Sequence, residues 1–161
     1  MSTDLEKRVT VAVAQVSSVG FDTKATLAKL KARAREAAEK SAELVLFPEA
    51  FVGTYPKGLS FGATIGNRTS EGRNDFVRYF ESAITVPGPA TQFIGEVAAE
   101  NRIYVITGVI ERDGGTLYCT ALFFDPNGKL LGKHRKLMPT ASERLVWGYG
   151  DGSTLPVFDT P

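Results

Sequence analysis

The sequence has little cysteine and little histidine: it contains one of each, Cys119 and His134. A single thiol cannot form an intramolecular disulfide, and one histidine with one cysteine cannot supply the ligands of a usual zinc site. The chain also lacks a run of about 20 apolar residues, which is the length that a membrane-spanning helix needs. We therefore predict no disulfide framework, no structural metal and no membrane partner.

An excess of charge of either sign is absent as well. Nineteen Lys and Arg residues stand against 18 Asp and Glu residues, which leaves a formal net charge of +1. This balance gives no electrostatic support for binding to nucleic acid or to an anionic membrane. The first eight residues are too polar for a signal peptide, so we predict a cytoplasmic protein.

The composition is that of an ordinary globular protein. Hydrophobic residues make up 43% of the 161 residues and charged residues 23%, with 16 glycines and 8 prolines. These values exclude disordered and collagen-like chains. The length lies within the usual range of one domain, so we expect residues 1–161 to form a single domain or part of one.

Short apolar runs alternate with amphipathic stretches, in the order strand, helix, strand, loop, helix and three strands. This order predicts an α/β fold in which helices cover at least one face of a sheet. The predicted strands are 9–16, 43–47, 103–110, 117–124 and 129–133, the last two joined as a hairpin by the turn at 125–128. The first strand is rich in β-branched residues, so we expect it in the middle of the sheet with both faces buried.

Two of the predicted helices have clear start signals. Asp22 can cap a helix over 23–40, whose apolar residues recur at helical spacing. Pro89 lies in the first turn of a helix that runs to about Asn101. A shorter helix is predicted over 74–80, with Asn74 as its cap.

Two segments are irregular in pattern. Gly53–Gly72 shows no clear period, and a loop of this length in a compact domain is usually functional or disordered. Ser153–Pro161 is typical of the start of another strand that has no partner after it, which predicts that the chain stops within the fold.

Glu49 comes directly after the apolar run Leu44–Phe47 and Pro48, so its carboxylate is expected at the carboxyl end of a buried strand. Ligand sites of α/β sheets gather at this edge. A carboxylate there is partly desolvated, as suits a general base. A solvated loop carboxylate explains the spacing alone equally well.

A second candidate cluster, 134–140, follows the hairpin and begins with three cationic or titratable side chains in sequence. Such a run is more often a solvated surface than a site. If Lys136 points inward, its ammonium can stabilise a developing anion and pair with Glu49. His134 is better explained as a surface or hairpin-packing residue.

A third segment, 142–153, has three glycines within five residues but no GK[ST] motif after them, which excludes a phosphate-binding P-loop. A tight, buried turn fits it better. Glu143 offers a second carboxylate, and Trp147 offers a flat apolar wall for a small ligand. A capping role for Glu143 and a core position for Trp147 are equally good local interpretations.

Cys119 lies inside the predicted strand 117–124, on the same face as Ala121 and Phe123. A buried thiol packs as a small hydrophobic group and its pKa is raised, which makes it unreactive. We therefore predict that Cys119 is a structural residue and not a nucleophile.

Three blocks of sequence, taken together, resemble the nitrilase family of carbon-nitrogen hydrolases. They are Leu46–Phe51 (LFPEAF), His134–Thr140 (HRKLMPT) and Glu143–Ser153 (ERLVWGYGDGS). Tyr55-Pro56 and Val86–Pro89 also resemble the family, and the similarity runs from about residue 9 to 161. The segment after the lysine favours a nitrilase over the related amidases.

The resemblance implies a fold and a reaction. The fold is the N-terminal part of a four-layer α-β-β-α sandwich, and the reaction hydrolyses a nitrile to a carboxylic acid and ammonia through a cysteine thioimidate. Glu49 and Lys136 match the first two members of the family's Glu-Lys-Cys triad, whose cysteine would lie beyond residue 161. Glu143 would support the lysine or a proton transfer, and no metal or organic cofactor is implied. Thr54, Tyr55 and Trp147 are candidate substrate-binding residues.

Two further interpretations remain open. The chain could be an inactive nitrilase-like fragment that serves as an assembly or binding module, or it could belong to an amidase of the same superfamily. The resemblance also implies a small nitrile as substrate. The expected partner is a second copy of the chain or a complementing C-terminal half.

Overall fold

Five strands form one sheet in which each strand lies beside its neighbours in the sequence. The computed structural model describes residues 8–62 and 69–160. The strands lie in their chain order, which is β1 (Val11–Val13), β2 (Leu44–Leu46), β3 (Tyr104–Asp113), β4 (Thr116–Phe124) and β5 (Leu130–Arg135). The first three strands run parallel, and β3, β4 and β5 form an antiparallel meander. The sheet is therefore mixed, as the α/β prediction allows.

The helices are α1 (Thr23–Glu39), α2 (Ser70–Ser82) and α3 (Pro89–Asn101), followed by a 3-10 turn at Ala141–Leu145. Asp22 caps α1 by accepting a hydrogen bond from the backbone N–H of Ala25, as predicted. Helices α1 and α3 pack against one face of the sheet, which we call the helix face. Their contact with the sheet forms the main apolar core, which includes Leu30, Ala34, Val45, Ile94, Val97, Val105, Leu122 and Phe124.

The other face of the sheet, which we call the second face, is covered unevenly. The strand register places Val13, Leu46, Ile106 and Phe123 in one row across this face. Val13 is 71% exposed and Leu46 39% exposed, although both are apolar. The β1 end of the second face is therefore open to water among the described residues.

A second apolar cluster covers the second face near the carboxyl ends of β2 and β5. It joins Tyr79 of α2 to Ile110 of β3, Cys119 of β4 and Trp147, with Phe61 packed against it. The candidate site residues lie beside this cluster. The cluster therefore gives the site an apolar support.

On the helix face, the buried carboxylate of Glu111 is surrounded by two partly buried cations and one hydroxyl. Glu111 is 1% exposed and accepts hydrogen bonds from Arg135, from Lys133 and from the hydroxyl of Thr120. Burial raises the pKa of the Glu111 carboxyl, but these donors outweigh burial and hold its pKa below the usual value. No local sequence pattern predicts this cluster.

Three predictions about elements are wrong. The first strand lies at the edge of the described sheet and not in its middle, and it spans Val11–Val13 only. Helix α2 begins at Ser70 with Thr69 as its cap, five residues before the predicted cap Asn74. Residues 154–160 form no strand; they run beside β5, where the backbone N–H of Arg135 donates to Thr154 Oγ1.

The remaining segments fit the predictions in part. Residues 53–62 are irregular, as predicted, and 63–68 lie outside the described residues. The glycine-rich segment 148–153 is irregular, with a bend at 152–153, and it is half-exposed, so it is not the buried turn that was predicted. No helix in the described part of the chain is long and apolar enough to cross a membrane.

Candidate active site

Glu49 lies where the chain leaves β2 and crosses the second face of β3. Gly108 of β3 makes this crossing possible, because a Cβ atom at Gly108 would lie 2.6 Å from Glu49 Cα and 2.5 Å from the carbonyl oxygen of Pro48. Ala50 has a positive φ of 52°, which turns the chain back toward β3. The backbone N–H of Val52 then donates to the carbonyl oxygen of Gly108 at 3.1 Å, and Val52 pairs with Val109. The turn leaves the Glu49 side chain on the second face.

Lys136 follows β5 directly, and its side chain points to the Glu49 carboxylate on the second face. Its Nζ atom donates hydrogen bonds to Glu49 Oε1 at 2.8 Å and to Glu143 Oε2 at 2.9 Å. Its backbone N–H donates to the carbonyl oxygen of Cys119, which fixes where the side chain begins. The prediction that Glu49 and Lys136 approach each other is therefore confirmed.

Glu143 is the more buried of the two carboxylates. Its side chain is 8% exposed, against 48% for Glu49. It accepts hydrogen bonds from Lys136, from the backbone N–H of Thr140 at 2.6 Å and from the hydroxyl of Tyr55 at 2.8 Å. Both local interpretations of Glu143 therefore hold, because the residue caps the 3-10 turn and also contacts the lysine.

Lys136 and Glu143 each favour the charged form of the other. Burial lowers the pKa of Lys136, but its bonds to Glu49 and Glu143 outweigh burial and raise that pKa above its usual range. Burial raises the pKa of Glu143, but its bonds to Thr140, Lys136 and Tyr55 prevail and lower it. These contacts thus favour the charged form of the lysine, which suits it to stabilising an anion and not to acting as a base.

The Glu49 carboxylate is accessible from solvent. The expected desolvation of its carboxylate is not found, because about half of the side chain is exposed. Its Oε1 atom accepts the bond from Lys136, and the carboxylate also faces the solvent. A carboxylate in this position can reach an approaching ligand and exchange a proton with it.

Aromatic side chains form one wall of the site. Trp147 is 3% exposed, and its Nε1–H donates to the hydroxyl of the buried Tyr79 at 2.8 Å. Lys136 Nζ lies 5.6 Å from the centre of the Trp147 ring, and the Tyr55 ring meets that ring edge-on at 5.7 Å. Trp147 is therefore a core residue whose ring also contacts the site.

A cleft of about 360 Å³ opens beside Glu143. Tyr55, Leu59, Glu143 and Leu145 are among the residues that line it. Tyr55 is 40% exposed, so the cleft is reached from solvent along its ring. A small molecule with an apolar end fits a site of this size and lining.

Thr54 and His134 make hydrogen-bond contacts with parts of the chain outside the charged cluster. Thr54 has a positive φ of 73°, and its hydroxyl oxygen accepts a hydrogen bond from the backbone N–H of Phe21. A role for Thr54 in substrate binding stays a prediction. The His134 ring contacts the carbonyl oxygen of Thr154, which agrees with a hairpin-packing role.

Cys119 is buried, as predicted, but it lies closer to the site than the sequence analysis implied. The residue is 5% exposed, and its thiol donates a hydrogen bond to Glu49 Oε1, with 3.5 Å between the two heavy atoms. Burial and the neighbouring Glu49 charge raise the pKa of the Cys119 thiol well above its usual range. The hairpin register carried the missing signal, because it pairs residue 120 with 135 and so brings 119 next to Lys136.

Glu49, Lys136 and Glu143 come from three separate segments and are in contact in the structure. A match to a protein family covers all three residues. The carbon-nitrogen hydrolase family matches residues 10–161. The chain belongs to this family. Among the residues that the structure describes, no group of His, Cys, Asp and Glu has the arrangement of a metal site.

Curated relatives of this carbon-nitrogen hydrolase chain include plant enzymes. A bifunctional nitrilase/nitrile hydratase of Nicotiana tabacum is 56% identical over 153 residues, which cover 95% of this chain and 44% of the relative. Nitrilase 2 of Arabidopsis thaliana is 56% identical over 153 residues, which cover 95% of this chain and 45% of the relative. The chain thus spans less than half the length of these relatives.

Solved structures confirm the fold. The crystal structure of an amidase from Nesterenkonia sp. matches with a TM-score of 0.64 and 19% sequence identity, over 93% of this chain and 52% of the amidase. The two layers described here, a sheet and its covering helices, therefore correspond to about half of a nitrilase-superfamily fold.

Proposed function

We propose that the complete protein containing residues 1–161 is a nitrilase, which hydrolyses a nitrile to a carboxylic acid and ammonia. The observation that carries the proposal is the Lys136 ammonium held between the carboxylates of Glu49 and Glu143, the second of which lines a small cleft. Identity of 56% to plant proteins named nitrilases supports a nitrile as the substrate.

In the proposed reaction, Glu49 is the general base. The nucleophile is the cysteine of the family's Glu-Lys-Cys triad, which the resemblance implies outside residues 1–161. Cys119 does not suit this role, because it is buried and its thiol pKa is raised. Glu49 takes the thiol proton, the sulfur bonds to the nitrile carbon, and the proton passes to the nitrile nitrogen to give a thioimidate. Water then adds to that carbon, ammonia leaves, and a second water releases the carboxylic acid from the thioester.

Lys136 stabilises the charge that develops in these steps. Its Nζ atom is a fixed cation, so it can donate a hydrogen bond to the nitrogen anion or to the tetrahedral intermediate. Glu143 holds Lys136 in place through a bond of 2.9 Å. Trp147 and Tyr55 provide the wall against which the organic part of the substrate packs.

The tetrahedral intermediate can also break down in another way. If the thiol leaves before ammonia, the product is an amide, which is the reaction of a nitrile hydratase. The tobacco relative is named for both activities. Quantifying ammonia and amide together therefore distinguishes the two outcomes, and an amide substrate in the same panel tests amidase activity.

The test is a nitrile panel with the complete protein and four variants. Glu49→Gln and Lys136→Met should each lower kcat/KM by about 100-fold or more. The exposed residues Glu96 and Lys129 supply matched controls, Glu96→Gln and Lys129→Met, which should stay within about twofold. Turnover that survives both site substitutions, in well-folded protein, would overturn the assignment.

A second test of the proposed function uses residues 1–161 alone. Without an accessible thiol they have no route to the covalent intermediate, so we expect no nitrile turnover. Turnover by this chain, with its mass confirmed, would contradict the proposed division of the chemistry.

A further inference from the structure

The hydroxyl of Tyr55 is bonded to the carboxylate that holds the lysine and is not free for a ligand. Tyr55 Oη donates to Glu143 Oε1 at 2.8 Å, whereas Lys136 and the backbone N–H of Thr140 donate to Glu143 Oε2. The two oxygens of Glu143 thus have separate donors. With both oxygens occupied, the carboxylate plane is fixed.

This bond links two distant segments. Tyr55 and Glu143 are 88 residues apart in the sequence. Tyr55 lies on the irregular segment 53–62, which is also anchored by the bond from Phe21 N–H to Thr54. The Tyr55 ring packs edge-on against Trp147, so both the ring and the hydroxyl have one preferred position.

The same bond favours the ionised form of Glu143. A phenol donates to a carboxylate more strongly than to a carboxylic acid, because the charge assists the hydrogen bond. The Glu143 charge in turn raises the pKa of Tyr55, chiefly through this bond. A neutral Glu143 would hold the lysine weakly and leave Glu49 as its main anionic partner.

We propose that Tyr55 is a positioning residue, which keeps Glu143 ionised and aimed at Lys136. The proposal rests on the proposed function for its catalytic consequence, but the link between Tyr55 and Glu143 can be measured without activity. Tyr55 therefore acts on the reaction through Glu143, in addition to forming part of the cleft wall.

The first experiment measures the pKa of Glu143 in the complete protein. With ¹³C-labelled glutamate, the Glu143 carboxyl signal is the one lost in Glu143→Gln. Tyr55→Phe should raise the Glu143 pKa by about 1 unit, because it removes one hydrogen bond to the charged form. The exposed Tyr149 gives the control Tyr149→Phe, which should leave the Glu143 pKa unchanged.

The second experiment follows turnover as a function of pH. Tyr55→Phe should lower kcat by about tenfold, change KM by less than about threefold, and move the acid limb of the profile to higher pH. A purely structural role for the hydroxyl would not move that limb.

The outcomes separate the two proposals. An unchanged Glu143 pKa in Tyr55→Phe overturns the positioning role whether or not the protein hydrolyses nitriles. A raised pKa with unchanged kcat and acid limb also overturns it. A raised pKa in a protein that hydrolyses no nitrile supports the Tyr55–Glu143 link and refutes only the proposed function.

Discussion

At the level of single residues, Arg135 and Lys136 are neighbours in the sequence whose side chains point to opposite faces of the sheet. Arg135 points to the helix face, where it bonds Glu111 and stacks on the Tyr118 ring at 3.9 Å. Lys136 points to the second face and reaches Glu49. Side chains alternate along a strand, so fixing one neighbour fixes the direction of the next.

Glu111 should therefore control stability in acid. Its folded pKa lies below the usual 4.5, so its contribution is present above that value and is lost as pH falls through the folded pKa. Glu111→Gln should lower the free energy of unfolding at pH 7 by about 3 kcal/mol and flatten its decline below about pH 4.5. Urea unfolding at several pH values measures both effects.

The exposed residue Glu96 supplies the control for that series. Glu96→Gln should leave the free energy of unfolding within about 0.5 kcal/mol of the unsubstituted protein at every pH. A Glu111→Gln protein that keeps the full acid dependence would assign the dependence to other carboxylates.

Cys119 should be dispensable for the reaction despite its contact with Glu49. Lys136 holds the same carboxylate oxygen at 2.8 Å, and a thiol is a weak donor. Cys119→Ala should leave the activity of the complete protein within a few fold, which steady-state kinetics on the nitrile panel would show. Complete loss of activity in well-folded protein would mean that Cys119 is the nucleophile.

At the level of elements, sequence patterns predict best where the signals are local. Helix α3 spans 89–101, as predicted, and α1 ends one residue early. The hairpin of β4 and β5 was predicted from its turn, although its register shifts between Phe123 and Phe124. Each of these elements has its own cap or turn residue, so no distant contact is needed to place it.

The elements that were placed wrongly depend on distant contacts. The apolar pattern of β1 predicts burial on both faces, but burial depends on which layers cover the strand. In the start of α2, Thr69 caps the helix, and a Cβ at Gly72 would lie 2.1 Å from the Phe61 backbone, so the helix start depends on a distant segment. Periodicity alone does not report such contacts.

The contacts in the site also fall into two groups, those that the sequence predicts and those that depend on distant parts of the chain. Glu49 and Lys136 were predicted to meet because each ends a strand at one sheet edge, and the structure confirms this. The Tyr55–Glu143 hydrogen bond joins residues 88 positions apart, and the Trp147–Tyr79 hydrogen bond joins residues 68 positions apart. No local sequence pattern predicts either bond. Long-range side-chain contacts of this kind come only from the folded chain.

The close approach of Gly108 to the Glu49 segment gives a prediction about an element. Gly108→Ala should lower the free energy of unfolding by about 1 to 3 kcal/mol, because the new methyl group meets backbone atoms at 2.5 to 2.6 Å. It should also lower nitrile turnover by more than tenfold, since Glu49 must shift. Gly115→Ala, where a Cβ meets nothing within 4 Å, is the control.

Two measurements on Gly108→Ala together test whether the position of Glu49 depends on Gly108. Thermal unfolding reports the stability change, and kcat/KM reports the displacement of Glu49. A Gly108→Ala protein with unchanged kcat/KM would show that the Glu49 carboxylate does not depend on this contact.

At the level of the whole molecule, the second face predicts association. Its β1 end exposes Val11, Val13 and Leu46, and apolar burial is worth about 25 cal/mol per Å². Residues 1–161 alone should therefore form dimers or larger species at micromolar concentration. Sedimentation velocity measures this, and a compact monomer that binds no apolar dye would contradict it.

A substitution tests which surface is responsible. Val13→Lys, at a position 71% exposed, should shift the population toward monomer without lowering the melting temperature by more than a few degrees. The same change at Val77, 50% exposed on α2, is the matched control and should leave association unchanged.

The consecutive strand order has a consequence for the time course of folding. The turn at 114–115 joins β3 to β4, and residues 125–129 join β4 to β5, so this meander closes short loops. Joining β1 and β2 to it requires the much longer connections 14–43 and 47–103. Loop closure costs more entropy as loops lengthen, so the meander is expected to form early and to act as a template for the parallel strands. Lys136 would then be in place before Glu49 arrives, and the site would be assembled late in folding.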